Sequence, residues 1–419
     1  MKLAVVGGGS TYTPELVDGF ARLRDVLPLS EIALIDPDTE RLTLVAGISR
    51  RILRRAGSPT LVTTWASVED GARAADAVLI QLRVGGQPAR HLDETVPLTC
   101  GCVGQETTGA GGLGMALRTV PVVLSVAEKV AEVAPDAWIV DFTNPVGIVT
   151  RALLDAGHRA IGLCNVAIGF QRRFAALLGV EPAAVSLDHV GLNHLTWERA
   201  AYVDGVNVLP ALIAKHGPAL AEQVDLPVRL LHMLGVVPSY YLRYFYEHDA
   251  VVREQLVAPS RATAVSEVER KLLRIYADPT VDTKPDLLGK RGGAFYSEAA
   301  VALLTSLLGG QVDTHVVNIR NDGTFPFLAD DAVIEVPATV SKEGATANPI
   351  TPVDPLYSGL IANVSAYEEL ALRAAIGGDE DLVVRALLAH PLVGQADKAI
   401  DLARRVITAH RAYLPWAVA

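Results

Sequence analysis

The sequence predicts an α/β fold: an N-terminal, doubly wound parallel sheet covered by helices, joined to a C-terminal α+β region. Three observations carry this. A strand, a glycine turn and a helix start are all contained in the first twenty residues. Apolar, β-rich runs then alternate with helix-like stretches up to about residue 170, the pattern of parallel strands linked by crossover helices. Beyond Gln171 the alternation gives way to long helical stretches with scattered strands.

Lys2-Leu-Ala-Val-Val6 is the first strand. Gly7-Gly-Gly-Ser10 turns the chain, and Thr11-Tyr-Thr-Pro14 leads into a helix with apolar positions at Leu16, Val17 and Phe20. Together they open a Rossmann-like dinucleotide-binding unit. Gly7 and Gly9 allow close approach of the backbone to a pyrophosphate. Ser10 and Thr11 stand at the helix start, where unpaired N–H groups face phosphate charge. Tyr12 occupies the place of an expected third glycine. The second strand, Ile32-Ala-Leu-Ile35, ends in Asp36, an acid suited to hydrogen-bond the ribose hydroxyls of NAD and to repel a 2′-phosphate. A helix N-cap in a doubly wound sheet accounts for the same aspartate.

Further strands are expected at 61–63, 77–82, 138–142 and 160–163, with helices at 40–55, 68–73 and 120–133. Ligands of such sheets sit outside the C-terminal strand ends, which singles out Asp36, Arg83, Asn144 and Cys164. The second region is expected to hold strands within 186–202 and at 312–320 and 332–336, with a turn at Asn321-Asp-Gly323. Its helices are expected at 226–233, 265–276, 294–308 and 395–412. The division is therefore a Rossmann-like NAD-binding domain over 1–170 and an α+β catalytic and oligomerisation domain over 171–419.

The 419 residues carry a net charge of −10, which disfavours nucleic acid and anionic membrane as partners. No uninterrupted apolar stretch is long enough to span a bilayer. Met1-Lys2 runs directly into the first strand, so no leader is expected. Three cysteines, Cys100, Cys102 and Cys164, suit a reducing cytoplasm.

Cys164 ends a strand in Gly162-Leu-Cys-Asn165, and His194 lies in the polar turn Gly191-Leu-Asn-His194. A thiolate and an imidazole can bind a borderline divalent metal, although the close ligand pairs of a structural zinc site are missing. A small core thiol and a hydrogen-bonded turn histidine are the competing account.

Several motifs occur in one order: Gly7-Gly-Gly-Ser-Thr-Tyr-Thr-Pro14, Arg83-Val-Gly-Gly86, Arg90 followed by Asp93-Glu94, Gly104-Gln-Glu-Thr107, Thr143-Asn-Pro145, Cys164-Asn165 and Gly191-Leu-Asn-His194. Together they resemble glycoside hydrolase family 4, the NAD- and metal-dependent glycosidases that depart from the usual two-carboxylate scheme. The likeness extends to at least Arg261, with a weaker stretch over 330–337. Asn165, after the cysteine, resembles the 6-phospho-β-glucosidase branch; the 6-phospho-α-glucosidases typically carry Asp there, and the α-galactosidases and α-glucuronidases His. An asparagine cannot serve as a proton-donating acid, so the departing group takes its proton elsewhere.

The resemblance implies that Cys164 and His194 ligate Mn²⁺, that Asn144 and Asn165 hydrogen-bond sugar hydroxyls, and that Arg90 and Arg261 bind the 6-phosphate. Tyr241 aligns with the catalytic base, with Tyr240 beside it as the alternative. Arg83 and Glu106 belong to the cofactor and metal surroundings. The implied reaction is hydrolysis of a phosphorylated disaccharide or aryl β-glucoside: transient oxidation at C3 by NAD⁺, loss of the C2 proton to Tyr241, elimination of the glycosidic oxygen, water addition and return of the hydride. The family suggests a cytoplasmic homodimer or homotetramer. Other readings are a different glycone, a simple NAD-dependent dehydrogenase of the malate or lactate type, and a non-enzymatic NAD-binding regulator.

Overall fold

The structure, a computed structural model, describes residues 1–291 and 295–417. Six parallel strands form the first half of a sheet: β1 (Lys2–Val6), β2 (Glu31–Ile35), β3 (Leu61–Trp65), β4 (Ala77–Ile80), β5 (Trp138–Asp141) and β6 (Ala160–Gly162). They lie in the order β3-β2-β1-β4-β5-β6, so the order reverses between β1 and β4. That reversal opens a crevice at the carboxyl ends of β1 and β4. The inner strands β1, β2, β4, β5 and β6 are largely apolar and buried, as a sheet covered on both faces requires, while β3 at the edge is mostly exposed.

The second region contributes β7 (Ser186–Leu192), β8 (Leu195–Val203), β9 (Val206–Asn207), β10 (Val237–Pro238), β11 (Asp313–Arg320), β12 (Val333–Ser341) and β13 (Gly344–Ala347). Strands β7 to β10 make a separate antiparallel sheet. Strands β11 to β13 join the first sheet, through antiparallel pairing of Asn318 on β11 with Gly162 on β6. The chain beyond residue 170 therefore completes the N-terminal sheet, and one apolar core runs through both parts. This pairing joins segments more than 150 residues apart, and no local pattern signals it.

The expected strands are present within a few residues of their ends, and the helix near 265–276 spans Arg261–Ala277. The stretch at 68–73 is a single short turn, Val68–Gly71. The helix expected at 294–308 is Tyr296–Gly309; Ala294 lies outside the described residues. The helix expected at 120–133 begins eleven residues earlier, as Gly109–Val133. Its first turns are glycine-rich and pack tightly: a Cβ on Gly111 would come within 2.2 Å of the Gln105 carbonyl. This helix is long and apolar enough to cross a membrane, but 78% of its apolar window is buried in the protein, the environment of a core helix. Arg118 on it forks onto Asp93 at 2.7 and 2.5 Å, and His410 reaches the same carboxylate at 3.0 Å, tying three helices together.

Candidate active site

A cavity of about 640 Å³ opens in the crevice at the strand-order reversal. Its floor is the turn after β1. Gly7 has φ +84°, and a Cβ there would stand 2.7 Å from the Gln81 carbonyl at the end of β4, so only glycine fits. Gly9 donates its N–H to Asp36 at 3.0 Å, and Asp38 donates to the other oxygen of the same carboxylate. Asp36 thus stands at the end of β2 on the cavity wall, as expected of a ribose-binding acid. Ser10 also faces the cavity, and accepts from Arg291 at 3.3 Å.

Thr11 does not line the cavity. It is fully buried, donates to Glu269 at 3.2 Å and accepts from Arg291 at 2.9 Å, so it braces the turn from behind. Tyr12, in the place of the third glycine, sits edge-on to Tyr296 with centroids 6.0 Å apart, and both rings line the cavity. The turn is therefore sealed by aromatic packing where the usual fingerprint has a glycine.

Arg83, Arg90 and Arg261 line the cavity beyond the turn. Arg83 pairs with Glu106, and Arg90 bridges Glu106 at 3.0 Å and Glu94 at 2.7 Å. Burial alone would raise the Glu106 carboxyl; the guanidinium groups of Arg83 and Arg90 outweigh it and hold the group below the ordinary range. Arg261, at the start of its helix, is exposed and anchored to the carbonyls of Lys290 and Arg291. Its fork is held over the cavity without a carboxylate partner among the described residues.

Asn144, Asn165, His194 and Tyr241 complete the wall. The Asn144 side-chain oxygen is buried with no partner among the described residues, an acceptor aimed where a hydroxyl could donate. Tyr241 stands in the short 3₁₀ turn Tyr240–Leu242, and burial raises its hydroxyl well above the ordinary value. Tyr240 is 41% exposed and lies outside the cavity, which separates two neighbours that sequence could not distinguish.

Cys164 lies just behind this wall, fully enclosed, and burial pushes its thiol up. Its sulfur nevertheless faces the backbone N–H groups of Asn165 and Val166 and the side-chain amide of Asn193, donors that favour a thiolate. His194 has φ +64°, and burial holds its imidazole neutral, down to about 4. Its Nδ1 is 2.9 Å from the Thr107 hydroxyl, while Nε2 has no partner among the described residues. A neutral imidazole with one nitrogen anchored and the other available is the state a metal ligand needs. The thiol and imidazole therefore fit a divalent metal. No cluster of three or more His, Cys, Asp or Glu suited to a metal occurs among the described residues.

Glu269, Arg291, Tyr296 and Gln87 also line the cavity, and sequence reasoning did not find them. Gln87 sits between the motif Arg83–Gly86 and Arg90, whereas Glu269, Arg291 and Tyr296 come from a stretch that carries no motif of its own.

The sequence model described as family 4 glycosyl hydrolase matches residues 2–180, and that of the family's C-terminal domain matches residues 189–393. The chain is 36% identical to the probable 6-phospho-β-glucosidase of Bacillus subtilis, over 99% of this chain and 97% of that protein. The solved 6-phospho-β-glucosidase of Thermotoga maritima with manganese, NAD⁺ and glucose-6-phosphate superposes with a TM-score of 0.93 at 33% identity, covering 99% of each chain. A malate dehydrogenase from Plasmodium falciparum with NADH superposes with a TM-score of 0.56 at 14% identity, over 91% of this chain and 99% of that one, a likeness of fold alone.

Proposed function

This chain belongs to the family 4 glycosyl hydrolases, and from that premise we propose which residues carry its reaction. It is a 6-phospho-β-glucosidase that uses NAD and a divalent metal. One observation carries the assignment of residues. The dinucleotide turn, the arginines Arg83, Arg90 and Arg261, the amides of Asn144 and Asn165 and the Tyr241–His194 pair line a single cavity, with Cys164 immediately behind.

Gly7, Gly9 and Ser10 seat the pyrophosphate, and Asp36 takes the ribose hydroxyls. Thr11 supports that turn from inside the protein. Arg261 and Arg90 take the 6-phosphate, which fixes the ring and spends remote binding energy on alignment. Asn144 and Asn165 bond the glycone hydroxyls. Arg83 holds Glu106 beside them. Cys164 and His194 would hold the metal, Mn²⁺ by preference. When bound, NAD⁺ supplies a reversible hydride acceptor for C3, and the metal supplies positive charge beside the sugar's O2 and O3.

A ketone at C3 acidifies the C2 proton, and Tyr241 removes it. The tyrosine must act as phenolate, yet burial alone keeps it protonated. A positive charge beside it works in the opposite direction. The bond from C1 to the glycosidic oxygen then breaks, water adds at C1, and C2 is reprotonated. The hydride taken from C3 returns to it, so no net oxidation results. The division at residue 170 does not separate the roles cleanly: the cofactor turn lies before it and the base Tyr241 after it, while the metal pair and the phosphate pair each take one residue from either side. A cytoplasmic homodimer or homotetramer remains our reading: three free thiols fit a reducing compartment, and Met233 and Val257, 71% and 86% exposed, suit a subunit contact. A panel of phosphorylated and unphosphorylated p-nitrophenyl α- and β-glycosides, assayed with NAD⁺ and Mn²⁺ under reducing conditions, tests the substrate class. Preference for an unphosphorylated or α-linked substrate would reject it.

A further inference from the structure

Behind Cys164 lies a buried polar network that the reaction above does not use. Glu335, on β12, is 1% exposed, and its Oε2 accepts from Asn193 at 2.8 Å and from Asn318 at 2.9 Å. Its Oε1 is 3.1 Å from Nε2 of His189, and the other ring nitrogen of His189 is 2.6 Å from Glu198. His189, Glu198 and Asn318 are completely buried.

The network is placed by strand register. His189 and Glu198 face each other across β7 and β8, and Asn318 and Glu335 across β11 and β12. Asn318 is also the residue that pairs with Gly162, two positions before Cys164. The cluster thus sits where the large sheet meets the small one, directly behind the thiol. Asn193 immediately precedes His194, and its amide, held by Glu335, faces the Cys164 sulfur. An amide nitrogen carries two N–H groups, enough to give one to the carboxylate and one to the sulfur.

Two carboxylates buried around one imidazole are costly to desolvate, and an apolar cluster would hold the two sheets together as well or better. A cysteine side chain, by contrast, has three staggered positions and needs a partner to select one. We propose that Asn193 and Glu335 form a positioning clamp for the metal site. Asn193 aims the Cys164 sulfur, Glu335 fixes the Asn193 side chain, and His189 with Glu198 fixes Glu335. None of the four touches the substrate cavity, so these are positioning residues. The inference rests on Cys164 and His194 being the metal ligands.

The test is a Co²⁺ titration of the full-length protein, followed by the sulfur-to-cobalt charge-transfer absorption, with NAD⁺ affinity measured in parallel. Asn193→Ala is expected to weaken Co²⁺ binding roughly ten- to hundred-fold, the usual cost of losing an outer-shell partner, with NAD⁺ affinity unchanged. Glu335→Gln keeps a carbonyl acceptor for both amides and is expected to lose less than Asn193→Ala. Wild-type Co²⁺ affinity and absorption in Asn193→Ala would overturn the clamp while leaving the ligands in place. Wild-type protein that binds Co²⁺ with no such absorption would overturn the ligand assignment, and the clamp with it.

Discussion

The imidazole of His194 lies flat against the phenol of Tyr241, with ring centroids 3.7 Å apart and planes 8° from parallel. The ligand and the base of the proposed reaction are therefore one packed unit. A charge bound at His194 acts on the tyrosine hydroxyl over a few ångströms beside a largely buried wall, where electrostatic effects are stronger than in bulk water.

Removing the metal should for that reason silence the base as well as empty the site. Chelator is expected to abolish turnover and Mn²⁺ to restore it. Cys164→Ser and His194→Ala should each lower metal content and rate together. Equilibrium dialysis followed by metal analysis checks this; wild-type metal content and rate in either variant would remove that residue as a ligand.

Cofactor should be needed only in catalytic amount, because the hydride returns in each cycle. Charcoal-stripped protein is expected to be inactive and to recover with NAD⁺. Absorbance at the NADH band during turnover should reach a low steady level. One NADH released per bond cleaved would instead describe a dehydrogenase.

The two phosphate-binding arginines should respond differently. Arg261 is exposed and, among the described residues, held only by carbonyls, so Arg261→Ala should raise KM for the 6-phosphate about ten-fold or more, at a loss on the order of 1.5–3 kcal/mol, with little change in Tm. Arg90 also neutralises Glu94 and Glu106 in a buried setting. Arg90→Ala should therefore raise KM and lower Tm, because Glu94 loses its guanidinium and Glu106 keeps only that of Arg83 among the described residues. Equal losses on phosphorylated and unphosphorylated sugars would reject a phosphate-specific role for either.

Glu368 gives a pH dependence of stability. Burial pushes its carboxyl up to about 8, against the pull of Arg151. Between its ordinary value and about 8, the folded protein holds a proton that the unfolded chain releases. Stability from this group is full at low pH and is lost as pH rises through that window, by at most about 1.4 kcal/mol per pH unit. Glu368→Gln imitates the protonated acid, so its Tm advantage over wild type should grow from pH 5 to pH 8. An advantage independent of pH would show that Glu368 ionises normally.

Much of this site is legible in sequence because its parts follow strand ends. Gly7, Gly9, Asp36, Asn144 and Cys164 all stand where a parallel strand meets its loop, and hydrophobic periodicity locates those ends. The remaining features depend on contacts between distant segments. Nothing near Thr11 shows that it turns inward to Glu269, 258 residues away. Tyr240 and Tyr241 are equivalent in local pattern, and only packing in the 3₁₀ turn sends one inward. The addition of β11 to β6 and the linkage of His189, Glu198 and Glu335 rest on register between strands, which no single segment encodes.

The central claim is that the C2–H bond breaks during hydrolysis and that Tyr241 breaks it. Tyr241→Phe removes only the hydroxyl, and should keep NAD⁺ and metal binding while losing about 10²–10⁴-fold in turnover. Tyr240→Phe, changed outside the cavity, should stay near the wild-type rate. The most direct measurement is the isotope content at C2 of glucose-6-phosphate formed by wild-type enzyme in D₂O. Deuterium is expected at C2 in the product. Product with C2 still fully protonated would mean that the bond is never broken, and would contradict the mechanism outright.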